Sequence, residues 1–411
     1  MLLSLALLFL VGMACGKLFE KIGIPSLLGM LLSGMLLGPR ALGLLDGTLL
    51  SISAELRQIA LIIILTRAGL GLDVHDLKKV GRPALLMCFV PATLEIAGMM
   101  LLAPRLLGVG LLDAVILGTV VAAVSPAVVV PRMLRLMESG FGRRKGIPQM
   151  IMAGASVDDV YVIVLFTAFT GLARGGSITP AVFLDIPVAI VLGLAGGIAA
   201  GLVLSRLFAR FHIRDTGKVL IILSIAFLLV AAEHALQAVV GFSGLLAVMA
   251  MGAALRQKRH EVSKRLSGKF SKLWVGAEVL LFVLVGATVN IEYAAREGVA
   301  ALLLVVGVML FRQAGVLLSL TGTALNRRER LFCCMAYMPK ATVQAAIGGL
   351  PLAMGLAAGD TILTVAVLSI LVTAPLGAVL MDRTCKLLLT RDDGTTPAPV
   401  EAPSGAVKER T

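Results

Sequence analysis

The sequence has few charged and few aromatic residues for its length. Of its 411 residues, 15% are charged and 5% are aromatic, whereas 58% are hydrophobic. Soluble domains carry about a quarter charged residues, so this composition excludes an ordinary soluble protein. The apolar residues form recurring runs of about 20, the length that a helix needs to cross a bilayer. Because the runs show no period-2 alternation, they predict membrane-spanning helices rather than barrel strands.

The sequence also lacks the signals of a metal protein, a nucleic-acid-binding protein or a secreted protein. Its five cysteines have no metal-binding spacing, and we expect no cofactor. The net charge of +13 comes from short basic clusters between apolar runs, which is typical of a membrane protein, so we expect no nucleic acid partner. The first residues, MLLSLALLFLVGMACG, lack the basic start of a signal peptide and are interpreted as the first span.

Thirteen spans are predicted along the chain. They are 2–15, 23–44, 54–72, 84–105, 111–136, 148–173, 182–209, 217–236, 240–256, 272–290, 298–323, 328–354 and 360–388. The polar residues 391–411 have no apolar periodicity and predict a disordered tail.

Basic residues are concentrated in the loops that follow odd-numbered spans. Arg143, Arg144 and Lys145 follow span 5, and a strongly basic segment from Arg256 to Lys272 is expected as the loop after span 9. The even-numbered loops, with the edges of their spans, hold isolated arginines such as Arg57. By the positive-inside rule, we expect a multi-pass protein of the inner (plasma) membrane with its N-terminus outside and its C-terminus in the cytoplasm.

Two spans contain a proline at matching places. Span 5 holds Ser125-Pro126, and span 12 holds Pro339-Lys340. Proline removes an amide and clashes with the preceding turn, so both helices should break there. Each is the fifth span of its half of the chain, 1–6 or 8–13, and the two halves have opposite orientation. The fold class expected is therefore an all-α polytopic protein with two inverted six-helix repeats and broken helices that cross at the midplane.

Five charged residues fall near the middle of spans at similar depth. They are Glu95, Asp158, Asp159, Arg312 and Lys340. A charge at the centre of a bilayer costs several kcal/mol unless it is paired or hydrated, and it suggests a functional site.

The two aspartates are adjacent on one helix, so their side chains point about 100° apart. Arg312 most simply pairs with Asp158, and Lys340 with Glu95, which leaves Asp159 without a fixed partner. A free carboxylate binds either a proton or a small cation, with hydroxyl ligands such as Ser125 and Ser156. The structural alternative is that both aspartates belong to buried salt bridges.

Three segments carry a resemblance to a known family. AAVSPAVVVPRML (122–134), KGIPQMIMAGASVDDV (145–160) and MPKATVQAAIG (338–348) resemble signatures of monovalent cation:proton antiporters, most of all the NHA branch of sodium/hydrogen exchangers. The resemblance implies that Asp159 is the carrier of ion and proton, with Asp158 its neighbour. It also implies that Glu95 pairs with Lys340. Arg312 stands where some electrogenic relatives carry a lysine, and unlike lysine it does not release a proton.

The resemblance implies two domains and a homodimer. The scaffold would be 1–75 and 215–292, the mobile core 84–173 and 297–389, and the linker 182–212.

The sequence thus predicts a secondary transporter, not an enzyme, that exchanges sodium or lithium for protons. Potassium/proton antiport, a sodium-coupled solute symporter, a channel and an intramembrane aspartyl protease are the alternatives. A symporter needs a larger, more aromatic cavity, and a protease needs two facing carboxylates, normally from different helices.

Overall fold

The computed structural model describes residues 1–72, 74–175, 180–236 and 241–391, and this part of the chain is almost entirely helical. The helices are α1 (Leu2–Lys21), α2 (Ser26–Leu37), α3 (Gly47–Ser51), α4 (Ser53–Gly71), α5 (Val74–Met87), α6 (Val90–Leu107), α7 (Leu111–Val121), α8 (Pro126–Glu138), α9 (Ile147–Gly175), α10 (Pro180–Arg210), α11 (Asp215–Leu236), α12 (Gly244–Lys258), α13 (His260–Thr288), α14 (Ile291–Ser319), α15 (Arg327–Ala336), α16 (Thr342–Ile347), α17 (Leu350–Ala353) and α18 (Gly359–Leu388). The predicted all-α polytopic fold is confirmed.

Nine helices within the described ranges are long and apolar enough to cross a membrane. They include Gly81–Leu107 and Leu111–Glu138, each of which joins two of the helices above. The other predicted spans correspond to shorter helices, such as Ser26–Leu37, or to α4, which carries Glu55, Arg57 and Arg67. The count of thirteen spans therefore stays a prediction.

The basic segment from Arg256 to Lys272 is not the loop that we expected. α12 continues to Lys258 and α13 begins at His260. Lysine, arginine and leucine are good helix formers. In α13, Ser263, Leu266 and Phe270 are buried at helical spacing, which leaves the basic side chains on the opposite face. Amphipathic packing thus extends this helix well beyond its apolar run.

Two features of the structure were not predicted from the sequence, a break within span 4 and the burial of Arg57. Span 4 is divided, because α5 ends at Met87 and α6 begins at Val90 with Pro91 in its first turn. Arg57, which the sequence placed at the edge of span 3, lies one turn inside α4, and its side chain is buried, with 4% exposed. Its Nε donates to the carbonyl of Ser53 at 3.2 Å, and its guanidinium packs against Gly349. The predicted disorder of the tail concerns residues 392–411, which lie outside the described residues.

The helices associate mainly in two sets. α13 packs against α2 and α4, while α12 packs against α4 and α10. Separately, α6 packs against α14 and α7, α9 packs against α5, α7 and α8, and α18 packs against α14 and α15. α16, which follows the break in span 12, contacts members of both sets, namely α4 and α13 in one and α7 and α18 in the other.

Small residues let α10 and α12 approach closely. Gly193, Gly197 and Gly201 recur every four residues on one face of α10. A Cβ added at Gly197 or Gly201 would overlap the carbonyl of Ala247 or Met251 in α12. Close backbone approach through small residues is the usual basis of helix packing in membranes.

Candidate functional site

The chain unwinds at both prolines, and the two breaks touch. α7 ends at Val121 and α8 begins at Pro126, while α15 ends at Ala336 and α16 begins at Thr342. Between the breaks, the amide of Ser125 donates to the carbonyl of Pro339 at 2.8 Å. Two unwound segments more than 200 residues apart in sequence are thus joined through their backbones.

Asp158 forms hydrogen bonds with the unwound segment of span 5 and with the buried side chain of Arg312. Its Oδ2 accepts from the amide of Val124 at 2.8 Å and from Nη2 of Arg312 at 2.8 Å. The Nε of Arg312 donates to the carbonyl of Tyr337 at 2.7 Å, and its Nη1 donates to the carbonyl of Ala122. The side chain of Arg312 thus contacts both breaks, and both it and Asp158 are fully buried.

Glu95 accepts hydrogen bonds from two cationic side chains through one carboxylate oxygen. Its Oε2 accepts from Nζ of Lys340 at 2.6 Å and from Nη1 of Arg312 at 2.7 Å, and all three side chains are 0% exposed. Sequence reasoning paired Lys340 with Glu95 and Arg312 with Asp158, and both contacts are present. It did not foresee the contact between Arg312 and Glu95. Two cations and two anions form this network, so their formal charges cancel.

Asp159 is the next residue in α9 and lies apart from this network. The residue is partly exposed, but its Oδ1 is buried and has no hydrogen-bond partner among the described residues. A turn of 100° separates it from Asp158, so the two carboxylates face different surroundings. The four-residue network therefore does not cancel the formal charge of Asp159.

The predicted serine ligands occupy different positions. The Oγ of Ser125 lies 3.5 Å from Oγ1 of Thr342, across the contact between the breaks. Ser156 lies in α9, and its side chain is outside the described residues.

Sequence reasoning missed Gln344 and Thr373. The Nε2 of Gln344 donates to the carbonyls of Val121 at 3.0 Å and Ala123 at 2.9 Å. The Oγ1 of Thr373, in α18, accepts from the amide of Lys340 at 2.9 Å. Gln344 carried a signal, because it is a polar residue in an apolar span one turn after Lys340. Thr373 carried none, because isolated threonines recur throughout the spans.

This arrangement defines a class of protein. Two broken helices that touch at their breaks, next to buried and compensated charges, are typical of secondary transporters. Comparison of the chain with known proteins leads to the same class. The transmembrane family of sodium/hydrogen exchangers matches residues 5–382. The chain is 35% identical to human sodium/hydrogen exchanger 9B2 over 405 residues, which cover 92% of this chain and 74% of the relative. It is 34% identical to the mouse protein of the same name, over 100% of this chain and 78% of the relative.

A solved structure shares the fold. The sodium proton antiporter MjNhaP1 from Methanocaldococcus jannaschii superposes with a TM-score of 0.83 and 22% sequence identity, over 93% of this chain and 97% of that one. The chain belongs to the sodium/hydrogen exchanger family.

Proposed function

We propose that this protein exchanges sodium or lithium for protons across the inner (plasma) membrane by alternating access, and so serves pH homeostasis. The observation that carries the proposal is the isolation of Asp159. Beside it, Glu95, Asp158, Arg312 and Lys340 cancel one another's charge. A carboxylate that has a buried, unpartnered oxygen next to a neutral network needs a counter-ion, which either a proton or a monovalent cation supplies.

Asp158 is poorly suited to the same task. Its Oδ2 is held by Arg312 and by the amide of Val124, and it is fully buried. Releasing it would leave Glu95 as the one acid of the network against Arg312 and Lys340, and arginine stays protonated. Oδ1 is unpartnered in both aspartates, but among the described residues Asp159 has no ion pair like that of Asp158. Since one carboxylate does not hold a proton and a cation together, the two ions compete, and competition at an alternately exposed site produces exchange.

We propose that the two sets of packed helices are a scaffold and a mobile core. The scaffold comprises residues 1–75 and 215–292, and the core comprises 84–173 and 297–389. The packing of α12 with α4 and of α6 with α14 supports this division. The linker 182–212 corresponds to α10, which packs against α12 and would stay with the scaffold. The scaffold would form a homodimer, with the N-terminus outside and the C-terminus in the cytoplasm.

The test is exchange in liposomes that carry an imposed pH gradient and a fluorescent proton reporter. Sodium, lithium, potassium and choline are added in turn to the wild type and to Asp159→Asn. We expect sodium and lithium to collapse the gradient with the wild type alone, because an amide binds neither ion by charge.

Two other outcomes are informative. If potassium alone acts, the mechanism stands and the cargo is potassium. If no cation acts on folded wild-type protein, or if Asp159→Asn exchanges at the wild-type rate, the proposal fails and the aspartates are structural.

A further inference from the structure

The break in span 5 leaves three backbone carbonyls without their helical donors. In a continuous helix, the carbonyls of residues 121, 122 and 123 would accept from the amides of residues 125, 126 and 127. Here the amide of Ser125 donates to the carbonyl of Pro339 instead, and Pro126 has no amide hydrogen. Freed carbonyls at such breaks are ready ligands for a sodium ion.

Side chains from the other half of the chain occupy all three carbonyls. Arg312 donates to the carbonyl of Ala122. Gln344 donates to the carbonyls on either side of it, Val121 at 3.0 Å and Ala123 at 2.9 Å. Two carbonyl acceptors require both hydrogens of one carboxamide nitrogen, so this geometry fixes the orientation of the amide group. Gln344 is 0% exposed, and its Oε1 has no hydrogen-bond partner among the described residues.

The bonds of Gln344 determine how the unwound segment is oriented. With the carbonyls of Val121 and Ala123 held toward α16, the next amide, that of Val124, donates to Oδ2 of Asp158 at 2.8 Å. Gln344 and Asp158 therefore hold the two ends of one peptide group, the carbonyl of Ala123 and the amide of Val124.

We propose that Gln344 is a positioning residue that sets cation selectivity, because it fixes the carbonyl oxygens of Val121 and Ala123 in the unwound segment that also binds Asp158, the neighbour of Asp159. This inference rests on the proposed function. Each of these carbonyls keeps a second lone pair, so the hydrogen bonds from Gln344 set the direction in which that lone pair faces a cation. The selectivity among sodium, lithium and potassium then depends on a donor that does not itself touch the ion.

The test compares Gln344→Met with wild type for sodium, lithium and potassium in the same liposome assay. Methionine has a similar length and no hydrogen to donate, so it frees both carbonyls. We expect the ratio of apparent KM values for lithium and sodium to change by about threefold or more, since unpaired buried carbonyls seek new partners. The matched control is Gln313→Met, because the side-chain amide of Gln313 in α14 has no partner among the described residues. This control should keep the wild-type ratio.

Gln344→Glu adds a pH-dependent readout. An ionised carboxyl repels both carbonyls, whereas a protonated carboxyl donates one hydrogen bond. We therefore expect the exchange rate of Gln344→Glu, relative to wild type, to rise as the pH falls.

The outcomes separate this inference from the proposed function. If Gln344→Met lowers the rate equally for every cation without changing the KM ratios, and Gln344→Glu has the wild-type pH profile, then Gln344 is structural and the inference is overturned. A wild type that exchanges no cation would instead overturn the proposed function.

Discussion

Glu95 lies between two buried cationic side chains and accepts hydrogen bonds from both through one carboxylate oxygen. Lys340 and Arg312 reach its Oε2 at 2.6 and 2.7 Å, in a site with no exposure to solvent. A buried charge that loses its partner is far more costly than the intact pair is stabilising. At the scale of single residues, Glu95 is thus the acid whose removal should be felt most by the folded state.

We predict that Glu95→Gln lowers the free energy of unfolding by about 3–5 kcal/mol, because Asp158 is then the network's one acid against two cations. Adding Lys340→Met to this variant should recover part of the loss, since one cation then faces one acid. The measurement is the unfolding temperature of the wild type, both single variants and the double variant in detergent. Strictly additive losses in the double variant would contradict the ion-pair network.

The pairing of charges could be predicted from sequence, but their full geometry could not. Depth within spans and charge balance were enough to pair Arg312 with Asp158 and Lys340 with Glu95. The hydrogen bond that was not predicted, from Arg312 to Glu95, joins residues 217 positions apart in the sequence. Which oxygen it reaches depends on how α14 crosses α6, and no local pattern encodes that angle. The bonds of Gln344 to span 5 depend in the same way on the contact between the breaks.

At the scale of helices, close packing and broken backbone follow from different residues. Glycine permits α10 to meet α12 at backbone distance, whereas proline opens α7–α8 and α15–α16. Both signals are visible in the sequence, and the breaks at the prolines were foreseen. The helical course of 256–272 was not, because charge density indicated a loop although the buried face of α13 favours a helix.

We predict that Gly197→Ala destabilises the protein by about 1–3 kcal/mol, because the added Cβ would overlap the carbonyl of Ala247. Gly268→Ala in α13 is the matched control, since a Cβ there would meet open space. Helix propensity should leave that control as stable as wild type, or more stable by up to about 1 kcal/mol. Thermal unfolding of the two variants in detergent makes the comparison. Equal losses in both would show that α10 and α12 do not depend on this contact.

At the scale of the whole molecule, the account requires the core to move against the scaffold. Arg57 in α4 packs against Gly349, which follows α16, so this contact joins the two sets of helices. The composition and positive-inside pattern predicted a polytopic protein, but they contain no information on which helices move together. That division came from the family resemblance and stays a proposal.

We predict that Arg57→Cys with Gly349→Cys, joined by a short cleavable thiol reagent, stops exchange until the linker is cleaved. The five native cysteines are replaced first, and exchange is measured before and after linking. The control pair is Arg132→Cys with Asp382→Cys, on α8 and α18 of the proposed core, where the native side chains approach to 3.1 Å. Linking that pair should leave exchange intact. Full exchange by the linked Arg57–Gly349 pair would exclude relative movement at this contact.

The central claim is that one carboxylate, Asp159, holds either a proton or the cation. The most direct measurement is calorimetric titration of sodium into the purified protein, repeated in buffers of different ionisation enthalpy to count released protons. Below the pH at which the carboxyl is fully ionised, the account predicts release of up to about one proton per sodium bound, as linkage requires for a shared site. It predicts neither binding nor release for Asp159→Asn. Undiminished proton release by Asp159→Asn would show that another group carries the proton and would contradict the account.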